Sequence, residues 1–167
     1  SDEYAREHEG DNGKTEMWYV INADEGASLI YGFQHEMTEG ILRKAVEPGP
    51  LDKHLQKVPV HKGDTYFVPA GTVHGIGKGI LVAEIQESSN VTYRVYDYDR
   101  VDKNGKKREL HFDKAVQVMN MKVAPDVSQK PRMVKYYSGC SRELLCRCKY
   151  FEIERIQVTK GFAFSVM

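Results

Sequence analysis

The feature that most narrows the fold of this chain is its alternation of short strand-like runs with turn signals. Glu16-Met17-Trp18-Tyr19-Val20-Ile21 is aromatic and β-branched, and the turn signal Asp11-Asn12-Gly13 precedes it. Residues 27–33 read as a second strand, with Asp24-Glu25-Gly26 as the hairpin loop between the two. Thr65-Tyr66-Phe67-Val68 ends at Pro69-Ala70-Gly71, and strand-like runs return at 80–85, 91–97 and 149–158. Lys160-Gly161 then turns the chain into a last run, Phe162-Ala163-Phe164-Ser165-Val166-Met167. Many short strands closed by Gly and Pro turns pack as a sandwich or barrel.

Helical signals are few. Residues 37–46 carry Ile41, Leu42 and Ala45 at helical spacing, Thr38 is placed to cap the run, and Glu47-Pro48-Gly49-Pro50 stops it. A second short helix is expected over 51–58, and a third over 111–119, with Asp113 near its start. Residues 102–106 form a polar turn. Pro125 and Pro131 mark 123–134 as a linker. The expected organisation is a mainly β domain over 1–122 with a short helical insertion, the linker, and the beginning of a second β unit over 135–167.

Charge and apolar content exclude several classes of function. Lys and Arg number 24 against 24 Asp and Glu, so there is no basic excess of the kind that holds a phosphate backbone, and no nucleic-acid partner is expected. No apolar run approaches the ~18 residues that span a bilayer, so no membrane partner is expected either. Cys140, Cys146 and Cys148 form neither a paired disulfide framework nor a zinc knuckle, and are expected as free thiols in a reducing cytoplasm. The opening Ser1 and the strand-like ending read as a piece of a longer chain. Oligomeric state is not encoded in any pattern here.

The chemistry concentrates in Gly63-Asp64-Thr65-Tyr66-Phe67-Val68-Pro69-Ala70-Gly71-Thr72-Val73-His74. Gly63 starts a strand, Pro69 ends it, Gly71 permits a tight turn, and His74 opens the next strand. This G-x5-P-x-G-x2-H spacing resembles the second motif of the cupins, whose His is a metal ligand. Lys78 stands where that motif has Asn. The competing reading of His74 is an exposed turn histidine. A second ligand must come from another strand, and Glu16 shares a face with Trp18 and Val20 by period-2 geometry. A carboxylate on an apolar face is costly unless it is charge-paired or bound to metal. Alternatively, Glu16 marks a frayed, hydrated strand start.

Gly13-Lys14-Thr15-Glu16-Met17-Trp18-Tyr19, the His74 motif, the run from Ser88-Ser89-Asn90 to Tyr96-Asp97-Tyr98, and Arg108-Glu109-Leu110-His111 together resemble the type I mannose-6-phosphate isomerase family in its short bacterial form. The resemblance covers about residues 1–122 and continues more loosely beyond. It implies a cupin jelly-roll barrel and a Zn2+-dependent aldose–ketose isomerase acting on a small sugar phosphate, interconverting mannose 6-phosphate and fructose 6-phosphate through a cis-enediol. The family's zinc is held by Gln, His, Glu and His. The last two map onto Glu16 and His74, and the first two would lie in a Gln-x-His-Pro motif just upstream of Ser1.

The same resemblance assigns Arg94 to the active site, as the cation that stabilises the enediolate oxygen. Read as part of a strand, Arg94 shares a face with Thr92 and Tyr96, and its competing role is a surface ion pair with Asp97 or Asp99. Lys14, two residues before Glu16, is expected on the same side at the barrel mouth, contacting substrate oxygens or relaying a proton. Lys78 joins Lys14 and Arg94 as a substrate-binding candidate, and Arg100 and Lys103 are further candidates for the phosphate. The catalytic base is not assigned. A non-catalytic cupin that binds a sugar or regulates is the alternative function, and a cupin oxygenase is disfavoured by the scarcity of well-placed His.

Overall fold

β1 (Glu16–Ala23) organises the first half of the molecule. It pairs antiparallel with β4 (Thr65–Val68) on one side and β6 (Ile80–Gln86) on the other. A second sheet places β2 (Ser28–Phe33) between β3 (Leu55–Pro59) and β5 (His74–Gly75), again antiparallel. Trp18, Val20, Tyr66 and Val68 from the first sheet and Leu29 and Tyr31 from the second share one buried core. Alternation along β1 sends Glu16 into this core with Trp18 and Val20. The Tyr31 hydroxyl ties the sheets together by donating to the Phe67 carbonyl at 2.5 Å.

The computed structural model describes residues 2–46, 51–97, 100–159 and 161. The chain divides into two units, Ser1–Val127 and Ser128–Met167. Among the described residues, no helix is long and apolar enough to cross a membrane.

Within the first unit, α2 (Glu39–Val46) starts as its sequence predicts. The Thr38 hydroxyl accepts from the Ile41 N–H at 3.3 Å, and its carbonyl accepts from Leu42 at 2.9 Å, the two marks of an N-cap. Leu42 and Ala45 bury against Phe33, Met37, Leu51 and Leu55 in a second apolar cluster. α3 (Phe112–Val118) occupies the expected place, one residue shorter at each end.

Two expected elements fail locally. Residues 51–58 are not a helix: a single 3-10 turn, Leu51–Lys53, leads directly into β3. Leu55 and Val58 fit a helical face, but Leu29 and Ile30 of β2 lie opposite and claim their backbone as Val58 and Lys57 pair with them. Residues 91–97 are not a strand, because their backbone bonds go elsewhere. The Arg94 N–H donates to His111 Nδ1, and the Arg94 carbonyl accepts from the His111 N–H. The shared face of Arg94 with Thr92 and Tyr96 therefore does not exist. Residues 2–9, for which the sequence offers no expectation, form α1 (Asp2–Glu9), whose single buried side chain, Ala5, leaves no apolar stripe to read.

Residues 123–127, inside the stretch read as linker, dock on the first unit. Phe33 bridges Val123, and Ala124 and Val127 pack against the barrel core. The second unit is a meander of β7 (Val134–Tyr137), β8 (Cys140–Arg147) and β9 (Glu152–Val158). Its buried Glu143 is paired by Arg132 at 2.7 Å and Arg155 at 2.6 Å. The stop signal at 47–50 and the final strand expected at 162–167 lie outside the described residues.

Candidate active site

The turn between β4 and β5 delivers His74. Gly71 sits in the left-handed region at φ 89°, and an added Cβ would lie 2.6 Å from the Val118 carbonyl oxygen. Only glycine lets the turn approach the end of α3 this closely. The His74 Nδ1 lies 2.8 Å from the Thr72 carbonyl. A carbonyl can only accept, so Nδ1 carries the proton, and in the neutral ring Nε2 keeps its lone pair. The ring stands edge-on to Trp18, with centroids 5.2 Å apart.

That lone pair faces Glu16. His74 Nε2 lies 3.5 Å from Glu16 Oε1. The Glu16 side chain is 1% exposed. Its Oε2 accepts from the Trp18 indole N–H at 2.8 Å, whereas the buried Oε1 makes no hydrogen bond. The nearest cation is the Lys14 ammonium, 3.1 Å from Oε1 and 3.4 Å from Glu84 Oε1. A desolvated carboxylate oxygen and an imidazole nitrogen converging on one point form a donor pair suited to a divalent ion such as zinc. Among the described residues no cluster of three or more His, Cys, Asp or Glu completes a ligand set.

A cavity of about 600 Å³ opens beside this pair, lined entirely from the first unit. Lys14, Lys57, Lys78, Arg94, Arg100 and Arg108 line it, against Glu16, Asp52 and Asp97. Arg108 grips Asp97 with Nε and Nη2 and holds its carboxyl below the ordinary carboxylate value, so that acid is already neutralised. The lining is thus basic on balance although the whole chain is neutral, as an anionic ligand requires.

The Ser88-Ser89-Asn90 motif explains how Arg94 reaches the same cavity as Lys14. Ser89 Oγ donates to the Asn12 carbonyl at 2.8 Å, and the Asn90 N–H donates to Asp11 at 3.0 Å. That N–H, with the one from Asn12, lowers the Asp11 pKa. The Thr15 N–H donates to the buried Glu87 at 2.8 Å. The loop leading into β1 and the loop leaving β6 are therefore laced together, and Lys14 and Arg94 emerge from neighbouring segments. The Arg94 guanidinium donates to the Glu109 carbonyl at 3.2 Å; Asp99, one of the two acids weighed as its ion-pair partner, lies outside the described residues.

Of the residues singled out in the sequence, Lys14, Glu16, His74, Lys78, Arg94 and Arg100 all line this cavity. Lys78 and Arg100 are exposed there. Lys103 does not line it, and lies exposed in its own turn. Sequence reasoning missed Glu84, Arg108 and the wall formed by Tyr4 and Ala5 of α1. Glu84 carried a usable signal: like Glu16, it is a carboxylate inside an apolar β run, Leu81-Val82-Ala83-Glu84-Ile85.

No family model matches the chain. It is 52% identical over 156 residues to the mannose-6-phosphate isomerase of Streptococcus mutans, covering 93% of this chain and 48% of that protein. It is 48% identical over 127 residues to the mannose-6-phosphate isomerase ManA of Bacillus subtilis, covering 75% of this chain and 40% of that one. Among solved structures, the mannose 6-phosphate isomerase of Bacillus subtilis superposes with a TM-score of 0.85 at 38% identity, over 95% of this chain and 50% of that one. The chain thus spans about half the length of the curated relatives it matches. The mainly β architecture is that of these cupin-type isomerases.

Proposed function

We propose, for a chain homologous over nearly its whole length to mannose-6-phosphate isomerases, that the protein interconverts mannose 6-phosphate and fructose 6-phosphate through a cis-enediol. The observation that carries this reading is the 3.5 Å approach of His74 Nε2 to the buried Glu16 Oε1, at the edge of a basic cavity.

The reaction moves one proton between C1 and C2 and passes through a species with negative charge on an oxygen. Glu16 and His74 would hold a zinc ion together with ligands beyond these two, and bound zinc would supply Lewis-acid polarisation of the substrate oxygens. Thr72 keeps His74 in the tautomer that offers Nε2. Trp18 keeps Glu16 turned so that Oε1 points at the same place. Arg94, held by the Glu109 carbonyl and, through its own backbone, by the ring Nδ1 and the N–H of His111, presents fixed positive charge where the oxyanion develops. Such a preformed donor needs no reorganisation during the reaction. Lys14 contacts substrate oxygens at the cavity mouth. Lys78 and Arg100, exposed on the lining, are suited to the phosphate dianion.

The test is zinc analysis with a coupled isomerase assay on the full-length protein, comparing wild type, His74→Ala and Arg94→Ala. His74→Ala should lose both zinc and turnover. Arg94→Ala should retain zinc and lose about a hundredfold or more in kcat, the usual cost of removing an oxyanion donor. Undiminished turnover in both variants would remove the site assignment.

A further inference from the structure

We infer that Glu84 is a positioning residue that receives the Lys14 ammonium when a metal ion takes Glu16. The inference rests on the metal reading proposed above and adds an exchange of partners to it.

The Lys14 ammonium and a metal ion would compete for one oxygen. Glu16 Oε1 faces the His74 Nε2 lone pair at 3.5 Å and the Lys14 ammonium at 3.1 Å. Its sister oxygen is committed to the Trp18 indole, and the side chain is 1% exposed, so water cannot share the charge. Lys14 therefore neutralises a buried carboxylate that would otherwise be left unpaired. A divalent ion bound to Oε1 and Nε2 would sit about 2 Å from each. An ammonium 3.1 Å from the same oxygen would then be a close like-charged neighbour.

The exit for that ammonium is already built. Glu84 lies on β6 opposite Trp18 of β1, and its Oε1 is 3.4 Å from Lys14 Nζ. The Glu84 side chain is 33% exposed and that of Lys14 25%, so both can shift where Glu16 cannot. Lys14 also approaches from the loop before β1, on a flexible four-carbon stem. The ammonium can thus leave Glu16 for Glu84 without moving the backbone. It would remain at the cavity wall, freed from the buried carboxylate and available to substrate oxygens.

Zinc affinity, measured by chelator competition on the full-length protein, tests this without reference to turnover. Lys14→Met should bind zinc about tenfold more tightly or better, because a competing and repelling charge is gone. Lys14→Gln, carried beside it, should change in the same direction. Glu84→Gln should bind about tenfold more weakly in the wild-type background and show no further effect once Lys14 is Met. That coupling is the signature, since a direct field of Glu84 on the metal would act whether or not Lys14 is present. Zinc binding that needs His74 but is indifferent to Lys14→Met, or effects of the two substitutions that simply add, would overturn the inference while leaving the metal reading intact. Absence of zinc binding by the wild type would overturn both.

Discussion

Trp18 donates its indole N–H to the buried oxygen Oε2 of Glu16 at 2.8 Å, two residues away on the same face of β1. The contact turns an aromatic core residue into the support of a carboxylate, and fixes which Glu16 oxygen is left for other partners. It also explains how a strand can begin with a fully buried acid. One oxygen is satisfied by the core, and the other meets Lys14 and His74 at the wall of the cavity.

Trp18→Phe is therefore expected to cost more than its lost volume. A hydrogen bond to a charged group is worth ~1.5–3 kcal/mol, and the smaller ring leaves a cavity in a site that is 1% exposed. We expect a loss of about 2–4 kcal/mol in urea unfolding. A loss under ~1 kcal/mol would mean that the indole–carboxylate bond contributes nothing beyond packing.

Gly71 ties the histidine turn to α3. An alanine there would have to adopt φ near 89° and push its Cβ to 2.6 Å from the Val118 carbonyl oxygen. Gly71 also accepts from the Asn120 N–H at 2.8 Å, so the turn cannot retreat without breaking that bond. Backbone strain alone is worth ~1–3 kcal/mol, and Gly71→Ala should lower the unfolding midpoint accordingly, with an unchanged m-value. An alanine variant as stable as wild type would show that the turn has room to move.

How much of this was legible in the sequence depended on whether local signals decide the structure. Thr38 caps α2 as its position suggests, because an N-cap is set by a few adjacent residues. The β1, β2, β4 and β6 runs were readable for a similar reason, being bounded by turn residues. Residues 91–97 were misread because β propensity cannot reveal that the Arg94 backbone bonds to a distant His111. Leu55 and Val58 fitted either period, and the choice was made by β2. In the site, Glu16 and His74 stood out as a carboxylate on an apolar face and a motif histidine. Arg108 did not, since its meaning comes from its partner Asp97, whereas Glu84 carried the same signal as Glu16 and went unread because its partner, Lys14, is remote in the chain.

The Asp97–Arg108 pair gives stability a defined pH dependence. Arg108 holds Asp97 below its ordinary pKa in the folded protein, mainly through direct hydrogen bonding. Unfolding restores the ordinary value of about 4. The contribution of this pair is thus complete above that value and is lost as pH falls through the lower folded-state pKa. Melting temperatures followed from about pH 6 to about pH 2 should fall less steeply in Asp97→Asn than in wild type. Parallel profiles would show that the pair is not a source of acid sensitivity. The variant should also loosen the 91–97 segment, where Arg94 is carried.

Tyr93, next to Arg94, reports on the opposite end of the pH range. Its hydroxyl donates to Glu9 of α1 at 2.9 Å, and Lys114 of α3 reaches the same Glu9 at 2.6 Å. Burial, and then the hydrogen bond to Glu9, push the phenol up to about 12. In the unfolded chain it would ionise near its usual value of about 10. A raised acid favours the folded state while the phenol is neutral, so this contribution is full below about pH 10 and disappears as pH climbs towards the folded value. Ultraviolet titration of tyrosinate should therefore show a late-ionising phenol that Tyr93→Phe removes. Glu9→Gln should move it back towards the bulk of the tyrosines, because the acceptor that holds the proton has lost its charge. If Tyr93→Phe instead removes a phenol from the early-ionising group, the Glu9 contact does not persist in solution, and α1 is not anchored to the arginine segment in the way the geometry describes.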